Sequence, residues 1–178
     1  MPAKGACFML SNFVKGRVYV FIDAENVFYT QRALGWKISY ERLITYLRKE
    51  CGLQTVCFVY KGIDEKNIKQ KKFLDMLDIN GYRLRTKSIK KIKFNQGGYR
   101  WKNNLDIELA LEMVETKNMY DTALLMSGDS DFAPAIDRIK QAGKRIIVMS
   151  TRWYVSKELL DRAKYIDLAK IKFEISQK

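Results

Sequence analysis

Leu124-Leu-Met-Ser-Gly-Asp-Ser-Asp-Phe132 is an apolar run that breaks at Ser127 and Gly128 and ends in two carboxylates one residue apart, Asp129 and Asp131. A short apolar run closed by turn residues reads as a buried strand followed by a strand-to-helix turn. A second such run, Val18-Tyr-Val-Phe-Ile22, also ends in an acid, Asp23. Carboxylates at the carboxyl ends of neighbouring parallel strands stand where an open α/β sheet places its ligand site. Such a group repels itself unless a hard cation such as Mg²⁺ or Mn²⁺ sits among its oxygens.

The rest of the chain alternates in the same way. Strands are expected at 17–23, 54–60, 82–86, 122–127 and 145–150, with a short last one near Ile166. Helices are expected at 40–50, with Leu43, Ile44 and Leu47 inward; at 64–80, with Ile68, Phe73, Leu74 and Leu77 inward and Gly81 as the stop; and at 104–117, 132–142 and 156–163. Gly143 closes the helix at 132–142, and a further helix start follows Asp23. Strands and helices alternating through short links imply a largely parallel sheet covered by helices on both faces. With 178 residues and 47% hydrophobic content, one domain with a sizeable core is expected.

Composition narrows the chemistry. The chain has no histidine, which excludes Ser-His-Asp and Cys-His triads, His-based ribonuclease mechanisms and His-ligated zinc. Its three cysteines, Cys7, Cys51 and Cys57, form no Cys-x-x-Cys pair, so they read as small buried hydrophobes in a reducing, cytoplasmic compartment. No apolar run approaches the roughly 20 residues of a membrane span, and the apolar run at 6–10 is too short for a secretory signal.

The charge is local. Between Lys61 and Lys102 thirteen Lys and Arg face four acids, a net of +9 out of +13 for the whole chain. Within it, Lys90, Lys91 and Lys93 precede Phe94, and Tyr99, Arg100, Trp101 and Lys102 follow the turn-forming Gln96-Gly-Gly98. Basic residues interleaved with aromatic ones hold phosphates and stack on bases, which makes a nucleic acid the expected partner; the alternative is a solvated hairpin whose aromatics pack back on the sheet.

Helix 104–117 carries a further acid. Glu108, Glu112 and Glu115 share one face, whereas Asp106 lies about 160° from Glu108 around the axis. Asp106 therefore falls on the stripe of Leu109, Ala110 and Met113, at its amino end. Asn26, three residues after Asp23, is placed to reach the same pocket through its amide. Asp23, Asp106, Asp129 and Asp131 are thus candidate ligands for one or two divalent ions. Asp131 has an ordinary alternative as a helix cap, and Gly128 is expected to let the backbone turn sharply.

At these residues the chain resembles the NYN domains of the PIN-like nuclease superfamily, in particular their LabA-like branch. The resemblance rests on Phe21-Ile-Asp-Ala-Glu-Asn26, Asn104-Leu-Asp-Ile-Glu-Leu-Ala-Leu-Glu112 and Ser127-Gly-Asp-Ser-Asp-Phe132, with Gly143-Lys-Arg-Ile-Ile-Val148 and Glu158-Leu-Leu-Asp-Arg-Ala163 following in order. It implies a three-layer α/β/α sandwich with a mainly parallel central sheet and a Mg²⁺- or Mn²⁺-dependent endoribonuclease site. The site residues it implies are Asp23, Asp106, Asp129, Asp131 and Asn26, with Glu112, Ser127 and Ser130 as supporting candidates. Its span makes 17–170 the nuclease domain, 1–16 a short extension and 171–178 a tail. Two positions depart from the family pattern: Lys102 lies one residue further from Asp106 than usual, and Glu112 stands where Asp is frequent. Two rivals remain, a non-catalytic RNA-binding module on the same fold and a Toprim-like or dehalogenase-like phosphotransferase. The dehalogenase type wants Asp-x-Asp after its first strand, where this chain has Asp23-Ala-Glu25, and Toprim folds want Glu where it has Asp23.

If the basic segment supplies affinity, neutralising Lys90, Lys91 and Lys93 together should weaken RNA binding. The slope of log K against log salt should fall by roughly 0.7 for each single-strand phosphate that is no longer neutralised. A salt titration of RNA binding checks this, and an unchanged slope would mark the charge as a solubilising face.

Overall fold

Six parallel strands form the centre of the molecule in the order β3-β2-β1-β6-β7-β8: β1 Val18–Asp23, β2 Val56–Ile63, β3 Arg83–Ser88, β6 Thr122–Met126, β7 Arg145–Ser150 and β8 Lys164–Asp167. This computed structural model describes residues 8–93, 99–102 and 105–177. A separate antiparallel ribbon pairs β4, Lys90–Lys93, with β5, Tyr99–Lys102. The helices are α1 Ala24–Leu34, α2 Tyr40–Cys51, α3 Ile68–Ile79, α4 Asp106–Glu115, α5 Ala133–Gln141, α6 Lys157–Leu160 and α7 Lys172–Ile175.

Central strands buried on both faces need apolar side chains at every position, and β1 and β6 are buried throughout. Period-2 alternation then divides β1 between two cores. Val18, Val20 and Ile22 pack with residues of α1, α2, α3 and α7, while Tyr19 and Phe21 pack with α4, α5 and α6. The second core is aromatic: Phe21 stacks on Phe58 at 5.4 Å between centroids, and Tyr120 meets Phe21 edge-on at 5.9 Å. The result is the expected α/β/α sandwich. Along the sheet the strand order reverses between β1 and β6, which opens a crevice at their carboxyl ends.

The cysteine reading agrees where it can be followed. Cys51 and Cys57 are buried free thiols, each pushed up to about 12 by burial. Cys7 lies outside the described residues. No helix among the described residues is long and apolar enough to cross a membrane.

Several boundaries differ from the sequence reading, each for a local reason. The helix expected from residue 64 starts at Ile68, because the Asn67 carboxamide caps it by accepting the N–H groups of Lys69 and Gln70. Asp64 instead closes a turn onto the N–H of Lys66. That start leaves Ile68 in the first turn, 73% exposed rather than inward. The stretch expected as helix from residue 132 opens as a 3-10 turn, Ser130–Phe132, before α5 begins. α1 runs eleven residues after Asp23; its buried side holds Ala24, Val27 and Thr30, small residues that leave a weak apolar period. At the carboxyl terminus Ile171 and Ile175 are buried, and Arg42 of α2 donates to the carbonyls of Phe173 and Ser176.

Phe21, with Tyr19, joins β1 to the aromatic core, and it is fully buried there. Phe21→Ala should cost about 3–5 kcal/mol of folding stability. Urea unfolding, read as a lower midpoint at unchanged slope, measures it.

Candidate functional site

β1 ends in Asp23, and the same residue caps α1: its Oδ1 accepts the N–H of Asn26 at 3.1 Å. Its Oδ2 accepts the hydroxyl of Ser127, also at 3.1 Å, from the chain leaving β6. The carboxylate is only 8% exposed, and burial raises its pKa above the ordinary range; the Asn26 N–H and Ser127 hydroxyl oppose that shift, and the charge of Glu25 adds to it. Asn26 returns the connection, because its Oδ1 accepts the N–H of Gly128 at 3.1 Å. Ser127 Oγ in turn accepts the N–H of Asp129 at 3.3 Å.

Asp129 caps the 3-10 turn, its Oδ1 accepting the N–H of Asp131 at 3.0 Å. The capping role that was the ordinary alternative for Asp131 therefore falls on Asp129, and Asp131 is left exposed in the first turn with Ser130 before it. Gly128 is also used differently from the expectation. It has no positive φ; instead, a Cβ there would stand 1.6 Å from the carbonyl oxygen of Tyr154. The segment after β7 crosses directly over it, and the N–H of Ser156 donates to the Gly128 carbonyl at 2.9 Å. The glycine is needed for close backbone approach.

Asp106 is the first residue of α4, half-buried, with Leu109 and Met113 of its stripe in the core. Carboxylate oxygens of Asp106, Asp129 and Asp131 lie within 4.8 Å of one another. Asp23 is not one of this trio but lines the same cleft as Asp106 and Asp129, a space of about 210 Å³ at the switch between β1 and β6. Among the other lining residues, Glu25, Tyr29 and Tyr60 carry polar groups that the sequence reading did not assign to the site. Glu25 had a signal, lying between Asp23 and Asn26; the tyrosines reach the cleft through tertiary packing. Glu112 supports this wall, since it accepts the Tyr60 hydroxyl at 2.6 Å and binds Arg85 of β3 through two nitrogens, at 2.8 and 2.6 Å. Burial and that bond hold the Tyr60 phenol neutral, far above its usual range.

The donor set fits a hard divalent cation. All the donors are carboxylate oxygens, and two ligands of one Mg²⁺ lie at most about 4.2 Å apart, from bonds of about 2.1 Å. A cluster already within 4.8 Å needs only small side-chain rotations to close on an ion.

Lys90, Lys91, Lys93, Tyr99, Arg100, Trp101 and Lys102 occupy the β4–β5 ribbon, where Lys91 pairs in register with Trp101 and Lys93 with Tyr99. Their side chains, with Phe94 and Gln96-Gly-Gly98, lie outside the described residues.

A family profile described as NYN domain matches residues 17–169. The chain belongs to the NYN domain family. It is 34% identical over 164 residues to the low amplitude and bright protein LabA of Synechococcus elongatus, a match covering 90% of this chain and 88% of that one. Its fold is similar to that of a Vibrio parahaemolyticus protein of unknown function, with a TM-score of 0.73 over 92% of this chain and 97% of the other at 22% identity. NYN domains are nuclease-like and RNA-related, and membership sets aside the Toprim-like and dehalogenase-like readings.

In this NYN domain the raised pKa of Asp23 has a definite pH signature. The folded state binds that proton more tightly than the unfolded chain, so ionisation weighs against folding as pH rises through the folded-state pKa. The penalty is absent below the unfolded value of about 4. In EDTA, Asp23→Asn should therefore melt above wild type near pH 8, and the difference should shrink as pH falls toward 4. Thermal melts across that range check it; a constant difference would mean burial does not perturb the group.

Proposed function

We propose that this NYN domain is a metal-dependent endoribonuclease that hydrolyses RNA phosphodiester bonds at the crevice between β1 and β6. One observation carries the reading: three carboxylates from the amino end of α4 and the turn after β6 converge within 4.8 Å at the switch point of a parallel sheet. Asp106, Asp129 and Asp131 would hold Mg²⁺ or Mn²⁺, with Asp23 behind them. Such an ion would supply positive charge at the phosphoryl oxygens and water of lowered pKa.

The chain's own part is positioning. Ser127 and the Asn26 N–H fix the orientation of Asp23, so that its carboxylate faces the cleft without sampling other rotamers. Asn26, through Gly128, sets the height of the turn bearing Asp129 and Asp131. Tyr60, held by Glu112, forms an uncharged wall that a phosphodiester can approach. RNA is guided in by the basic ribbon, because two cations before it are already engaged: Arg85 with Glu112 and Lys87 with Glu108. A reducing, cytoplasmic setting accords with the buried thiols Cys51 and Cys57.

The test is incubation of single-stranded and structured RNAs with Mg²⁺, Mn²⁺ or EDTA. Cleavage should require a metal, and Asp129→Asn should reduce it by at least about a hundredfold, the scale of a lost electrostatic stabiliser. The asparagine retains an oxygen to cap the turn, so in EDTA the variant should melt at or above the wild-type temperature. Added metal should raise the wild-type melting point more than the variant's. RNA binding without cleavage under every metal condition would assign the chain to the non-catalytic module instead.

A further inference from the structure

α1 exposes two large aromatic residues beside the acidic cleft. Phe28 is 52% exposed and Tyr29 58%, although the same helix buries nothing larger than Val27 and Thr30. The two rings meet edge-on at 5.6 Å, and the guanidinium of Arg32, one turn further on, lies 5.4 Å from the Phe28 centroid. Tyr29 also lines the cleft that holds Asp23, Asp106 and Asp129. Asn26, one turn earlier on its side of the helix, bonds to the Gly128 turn, so the platform is tied to the frame that positions those acids.

The electrostatics define what such a surface can hold. An acidic cleft repels a polyanion, so a nucleotide brought to it needs an attraction that does not depend on charge in the cleft. An exposed aromatic face offers that attraction to any base, and a neighbouring Arg adds cation–π and phosphate contacts. In a duplex the base faces are already stacked and unavailable. We propose that Phe28, Tyr29 and Arg32 form a stacking platform that seats an unpaired nucleobase adjacent to the scissile phosphate and makes the site selective for single-stranded RNA. The placement of that phosphate rests on the nuclease reading; the stacking does not.

Binding in EDTA separates the two, because no turnover is needed. Fluorescence anisotropy would compare wild type, Tyr29→Ala, Phe28→Ala and Tyr29→Phe on a single-stranded RNA decamer, a duplex of that length and a decamer of abasic residues. Tyr29→Ala should weaken the single-stranded decamer at least about fivefold, the lower end for one stacked base, and leave the duplex, the abasic strand and the salt slope unchanged. Tyr29→Phe should bind as wild type, and Arg32→Ala should lower the salt slope by about 0.7. In Tyr29→Trp the new indole should be quenched by oligouridine and not by the abasic strand. Equal losses on all three ligands, or no loss on any, would overturn the proposal. So would sedimentation in which Phe28→Ala or Tyr29→Ala dissociates an oligomer while RNA affinity is unchanged, since the rings would then be contacts between copies. Stacking without cleavage in any metal would leave this inference standing and remove the nuclease reading alone.

Discussion

The hydroxyl of Ser127 donates to the buried carboxylate of Asp23 and accepts the N–H of Asp129. One oxygen thus joins the carboxyl ends of the two strands between which the sheet reverses direction. Asn26 adds a second link across the same gap. Like charges gathered in a half-dry crevice push apart, so the framework must hold them by bonds that do not neutralise them. Hydrogen bonds from N–H and O–H groups do this, and the two central strands, buried on both faces, give those bonds a rigid base.

The two kinds of information in the sequence were unequal. β7 was legible to the residue and β1 and β6 to within one residue at an end, because a strand buried on both faces writes its burial as an unbroken apolar run. Helix periodicity and strand ends together singled out four acids, of which Asp106, Asp129 and Asp131 converge while Asp23 stands outside the trio. The start of α3 was hidden by Asn67, whose capping bonds outweigh the apolar pattern that drew in Ile68. The purpose of Gly128 was hidden for a different reason: the Tyr154 carbonyl that excludes a Cβ comes from 26 residues further on, and no local rule reveals it. Tyr29 and Tyr60 belong to the same class, since an aromatic residue on a helix or strand reads as core until packing shows which way it faces.

Charge also sorts itself more finely than composition implies. Arg83 and Arg85 lie over the Phe58 ring at 5.7 and 5.1 Å, and Arg85 is tied to Glu112. Part of the basic segment is therefore structural, fastening the edge strand β3 to α4, and the Glu112 it fastens also keeps Tyr60 at the cleft.

The β4–β5 ribbon interrupts the crossover from β3 to α4, and both of its ends are anchored. Ile89 donates its N–H to the Ile63 carbonyl at the end of β2, and Asp106 opens α4 in the acid cluster. A segment inserted between fixed feet changes length at a loop-closure cost that grows only slowly. Sheet order, core and acid cluster are all encoded outside it. The ribbon can therefore be lengthened, shortened or exchanged without moving the strands that lead to Asp23 and Asp129.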